Sequence, residues 1–224
     1  SLHEAIITRN FEGLSDLLDM GEDPNAGNSW GCPPLVEAAF ANSVEMAYAL
    51  LQAGALLGLG DPRRGATALH VSAREGHLEV TEFLLVAAAA EVADLFDDGG
   101  GGGGGGGGEG PEDFATTAAG FAPYSNVIGD GAQTSSRAAA NNNRKAYHPP
   151  PSVVVNARDS MGMCPLHDAA INARTRVVEA LLEAGASVDS RDKRGRTPLF
   201  HAVEASAAGA VKALLRAGAS PDAT

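Results

Sequence analysis

The chain has 224 residues and carries 28 acidic against 16 basic side chains, a net charge of −12. That balance disfavours a polyphosphate partner, and the most apolar window, residues 80–96, holds Glu82, Glu91 and Asp94, which rules out a spanning helix there. No basic-then-apolar leader is present.

Along the chain, leucine pairs recur at Leu17-Leu18, Leu50-Leu51, Leu84-Leu85, Leu181-Leu182 and Leu214-Leu215, with spacings of 33, 34, 97 and 33 residues. A period of this length means stacked supersecondary units, each burying its apolar face only against a neighbour. Fifteen residues before each pair stands Leu2, Leu35, Leu69, Leu166 or Leu199, in the phrases LHEAI, PPLVEAA, TALHVSA, CPLHDAA and TPLFHAV. Each unit therefore reads as two short helices. In unit one a glycine stop, Gly21, follows the second helix, and Gly54, Gly185 and Gly218 recur at that place. Unit two has Val36 where units one and three have histidine, and Asn42 where unit three has glycine. In unit three Thr67 is expected to cap the first helix through its hydroxyl, and Leu78, Val80, Phe83 and Leu84 make the buried face of the second.

The long spacing exceeds the ordinary one by 64 residues, and the surplus holds ten consecutive glycines, Gly99 to Gly108, with Asn141 to Asn143 and Pro149 to Pro151. Residues 89–152 form a low-complexity insert expected to be disordered, with a helix prolonged to about residue 97. Its mildly basic spot is Arg144 to Tyr147. We read the insert as a tolerated loop expansion, since loop closure costs grow slowly with length. The glycine run is not a phosphate loop, because no Gly-Lys-Ser/Thr follows it. Register resumes at Val153 with VVVNARDSMG, read as a projecting loop. In unit five Thr197 caps the first helix and Pro198 occupies its first turn.

These phrases, above all GATALHVSAREGHLEVTEFLL at residues 65–85, closely resemble the ankyrin repeat. The resemblance covers units one to three (residues 1–88) and four to five with a preceding finger (153–224). It implies an all-α solenoid of stacked helix–turn–helix units with β-hairpin-like finger loops, in which a little strand is expected. It also implies that His3, His70 and His167 bond the neighbouring finger backbone. The two ends lack polar caps, so the chain reads as a fragment of a longer protein, and an intracellular, cytoplasmic or nuclear location is the default expectation.

No catalytic set emerges. No histidine pair has metal-ligand spacing and there is no Cys-x-x-Cys, so no metal, cofactor or catalytic residue is assigned and the segment is not expected to be an enzyme. Cys32 and Cys164, two units apart, lie too far from each other for a disulfide.

The remaining role is protein binding, with an unidentified protein partner. The resemblance places candidate contacts on the fingers (Trp30, Arg63, Arg64, Met161, Met163, Lys193, Arg194 and Arg196) and on the first-helix ends (Phe40, Arg74, Ile171 and Asn172). Trp30, Phe40, Arg64 and Arg194 are the expected anchors. Trp30 either meets a partner or packs on an adjoining finger. The arginines and lysine of fingers three and five make a basic edge that suits an acidic partner, while the acidic back keeps the stack soluble. Nucleic acid stays disfavoured when the six acids and three bases of the insert's flexible part are removed, leaving 22 against 13. Scaffold or adaptor is the first reading. The alternative is a regulatory or substrate-recruiting arm of a larger enzyme such as a ubiquitin ligase or kinase. Units one to three and four to five are expected to behave as two coupled blocks.

Overall fold

The computed structural model describes residues 1–89 and 151–221, in which eleven helices and no strand are present. Five helix pairs follow the leucine period. They are α1 (Leu2–Ile7) with α2 (Phe11–Asp19), α3 (Pro34–Phe40) with α4 (Val44–Gln52), and α5 (Ala68–Glu75) with α6 (Leu78–Ala89). Past the insert a short helix α7 (Pro151–Val155) precedes α8 (Pro165–Ile171) with α9 (Thr175–Glu183), then α10 (Pro198–Glu204) with α11 (Ala208–Arg216). The finger expected from Val153 thus begins later, because Val153 to Val155 are helical and Val154 and Val155 are buried beneath α6. The insert's expected disorder, its Arg144–Tyr147 spot and the expected helix beyond Ala89 lie outside the described residues.

Alanines at the helix contacts allow close approach. Ala38, Ala73, Ala169, Ala170 and Ala202 are fully buried, and Leu14, Leu50, Leu84, Leu181 and Leu214 are likewise sealed. First helices stack on first helices and second on second, and this continues from α5 to α8 and from α6 to α9.

Each second helix other than α6 ends on a left-handed glycine, Gly21, Gly54, Gly185 or Gly218, at φ 86° to 94°. The link between paired helices needs the same conformation at Arg9, Asn42, Gly76, Ala173 and Ser206, and only unit three supplies glycine there. Helix α10 starts as expected, the Phe200 N–H donating to the Thr197 hydroxyl at 3.3 Å. At α5 the cap runs through His70 instead: the Thr67 N–H donates to its Nδ1 at 3.2 Å and the Thr67 hydroxyl lies 2.9 Å from the same nitrogen. The expected strand reduces, among the described residues, to one isolated antiparallel bridge between Gly60 and Thr67.

Histidines tie successive units. With Nδ1 accepting, Nε2 of His70 donates to the Met163 carbonyl at 3.0 Å, and Nε2 of His167 to the Arg196 carbonyl at 3.2 Å. His3 places Nε2 2.8 Å from the Ala26 carbonyl. Val36 fills the equivalent position in unit two and makes no such link. Both cysteines are free.

Candidate interaction surface

Each finger is shaped by one short polar side chain, Asn28, Asp61, Asp159 or Asp192, which accepts backbone N–H bonds from the residues that follow. Asp61 holds Arg63, Arg64 and Ala66 at 2.8 to 3.0 Å, and Asp159 holds Met161 and Met163 at 2.8 Å each. These residues were overlooked as finger-formers in the sequence, although an Asn or Asp recurs just ahead of every finger glycine. Such side chains bond their own backbone two residues on, which fixes a tight turn. The last three fingers are also joined to one another: the Ser160 N–H donates to the Arg64 carbonyl at 2.6 Å and the Lys193 N–H to the Met161 carbonyl at 2.9 Å.

The residues expected to meet a partner divide into two groups. Trp30 is 67% and Phe40 65% exposed, Met161 is exposed, and so are Arg63, Asn172, Lys193 and Arg194. The Trp30 ring is open to solvent and carries the Arg63 guanidinium of the adjoining finger 4.7 Å from its centroid. Lys193 and Arg194 have no side-chain partner among the described residues.

The second group is committed to the stack. Met163 is buried, its amide on Asp159 and its carbonyl on His70, so it cannot reach a partner. Arg64, expected as an anchor, instead crosses the insert: its Nε donates to Asp159 at 2.5 Å and its Nη2 to Asp168 at 3.1 Å. Arg74 adds a second cation, 3.5 Å from Asp168. Arg196 is paired with Asp192 at 3.1 Å and reaches Glu204 at 3.7 Å. Ile171 is half-buried.

Electrostatics follow from these pairings. Burial alone would raise the Asp192 carboxyl, but the Arg196 N–H, the His201 imidazole, the Arg194 N–H and the Arg196 guanidinium outweigh it and hold it at about 2. Burial drives His167 down to about 4 despite the Arg196 carbonyl that it bonds, and burial lowers His70 in the same way. Asp159 also stays below its usual range, its backbone bonds and Arg64 overcoming desolvation. Buried His201 bonds Asp192 at 3.1 Å. No group of three His, Cys, Asp or Glu among the described residues is placed to hold a metal ion, and no helix there is long and apolar enough to cross a membrane.

A repeated pair of antiparallel helices with a projecting finger, stacked five times, defines a helical-repeat solenoid. The family model for ankyrin repeats (3 copies) matches residues 2–94 and 136–224, and the chain belongs to that family. Ankyrin repeats are generally protein–protein interaction modules and typically non-catalytic. Among curated proteins the chain is similar to transient receptor potential cation channel subfamily A member 1 of Homo sapiens, 35% identical over 88 residues, which covers 36% of this chain and 8% of that protein. It is also 35% identical over 88 residues to cyclin-dependent kinase inhibitor 2A of Monodelphis domestica, covering 39% of this chain and 51% of the relative. The chain thus spans about half or less of the relatives it matches.

Proposed function

We propose that the stack is a recognition module that acts by binding. Its protein partner lies along the finger tips and the exposed ends of the first helices, with an acidic stretch against units four and five. The supporting observation is the outward set Trp30, Arg63, Met161, Lys193 and Arg194 on tips braced by Asx turns and, from Arg64 onward, by backbone bonds from finger to finger. A surface already ordered loses little conformational entropy on binding. Lys193 and Arg194 on the finger of unit five, without side-chain partners among the described residues, give it a direction of charge.

The test is capture of partners by the whole chain, followed by charge reversal of Lys193 and Arg194 to Glu. Affinity for a captured partner should fall by about tenfold or more. Arg64 is left unchanged, because it holds the fold. Unchanged affinity in the reversed variant would reject the reading.

A further inference from the structure

Between the fingers of units two and three lies an open cleft of about 440 Å³, lined by Trp30, Cys32, Glu37, Asp61, Pro62 and Arg63. Its charge differs from that of the other fingers. Asp159 and Asp168 are each paired with Arg64, and Asp192 with Arg196 and His201. Asp61, at the same register as Asp159 and Asp192, meets no guanidinium or ammonium among the described residues. Its three hydrogen bonds all come from backbone N–H groups. Glu37 is held by the His3 Nδ1 at 2.6 Å and the Asn28 amide at 2.5 Å, again with no lysine or arginine.

A carboxylate offers about four acceptor positions. Asp61 uses three and Glu37 two, so both retain capacity for a further donor. Beside them stands an indole ring 67% exposed, of which Arg63 covers only one face. An open aromatic face beside two carboxylates that keep free acceptor positions and meet no lysine or arginine among the described residues is chemistry that receives a cation. The cleft's own thiol registers the field: burial first, then Glu37 and Asp61, push Cys32 up to about 11.

We infer that this cleft seats a lysine or arginine side chain of the partner, its cation on the free face of Trp30 and its donors on Glu37 and Asp61. The inference rests on the reading of the finger row as the partner surface. It adds that the partner's charge runs in one direction, basic at units two and three and acidic at units four and five. A partner of uniform sign would meet repulsion at one end, so the arrangement selects both a segment and its orientation.

The chain has a single tryptophan, so its fluorescence reports on this cleft alone. The whole chain is titrated at pH 8 with acetyl-Gly-Arg-Gly-amide and acetyl-Gly-Lys-Gly-amide, and with the citrulline and glutamate counterparts. A saturable change is expected with the cationic peptides at millimolar concentration, weaker by about threefold to tenfold with citrulline and absent with glutamate. Glu37→Gln should weaken the cationic peptides by a similar factor. The citrulline comparison, made on the unaltered protein, decides the matter should that variant fail to fold. Equal response to citrulline, response to glutamate, or no saturable response up to tens of millimolar would each overturn the inference. None of these outcomes touches Lys193 or Arg194, whose role stands or falls on the charge-reversal experiment.

Discussion

Ala173 shows how a single side chain can oppose the conformation required of it. It sits at φ 55°, where a β-carbon crowds the backbone, while Gly76 fills the same place in unit three at φ 84°. Ala173→Gly should raise stability by about 0.5–1 kcal/mol, the relief of strain exceeding the extra freedom gained by the unfolded chain. Gly76→Ala should cost about 1–2 kcal/mol, and there the new β-carbon would also press on Arg174, 2.6 Å from its Cδ. Urea midpoints of both variants check the pair of signs. His167 gives a second test. Its folded value of about 4 lies below the ordinary 6.5, so the unfolded chain binds the proton more readily. Stability is therefore full above pH 6.5 and falls as pH drops towards 4, by up to about 3 kcal/mol. His167→Gln should flatten that part of a pH–stability curve. If acid sensitivity between pH 6.5 and 4 persists unchanged in the variant, His167 is not its source.

At the scale of elements, the fingers rather than the helices carry what joins the chain across the insert. Arg64, 95 residues from Asp159 and 104 from Asp168, neutralises two buried carboxylates at once. Removing it leaves Asp159 without a cation and Asp168 with Arg74 alone, and Arg64→Ala should destabilise the fold by about 3 kcal/mol. The loss should be read by urea unfolding, and hydrogen exchange should quicken first in α8 and α10. The helix pairs were legible in the sequence because leucines at a fixed period have one structural cause, burial against a neighbour. The histidine-to-finger links were legible too, as what the family resemblance implies. Arg64 was not: a finger arginine facing water and one folded back onto Asp159 have the same local sequence, and only the packing of unit four upon unit three separates them. Met163 was misjudged because position along a finger does not tell the outward leg from the inward one. PSVVV, rich in β-branched residues, looked extended, yet apolar cover from α6 makes it helical. In the cleft, Trp30 and Arg63 stood out in the sequence, whereas Glu37 and Asp61 gained meaning only from the absence of a lysine or arginine beside them among the described residues.

For the whole molecule, α5 packs on α8 and α6 on α9 as closely as other neighbours do. A stack of this kind shares stability between adjacent units through their interfaces. Hydrogen exchange should accordingly be slow in both α3–α6 and α8–α11, and a chain lacking residues 99–150 should keep that protection. Fast exchange confined to α8–α11 would instead mark two weakly coupled blocks. The stack also has a mechanical grain. From unit three to unit four the spine is cross-braced by His70, Arg64 and Arg74, and from four to five by His167 and the Lys193 amide. Between units two and three Val36 offers no imidazole strut to the finger; the joint rests on apolar contact, the Arg63 guanidinium on Trp30, and a link from the His77 Nε2 to the Phe40 carbonyl at 3.2 Å, at the opposite end of the helices. The finger edge is therefore lightly braced where Trp30 faces Pro62 and Arg63. A wedge entering there would splay the two fingers about the His77 link, turning occupancy of a small cleft into a change of curvature along the stack.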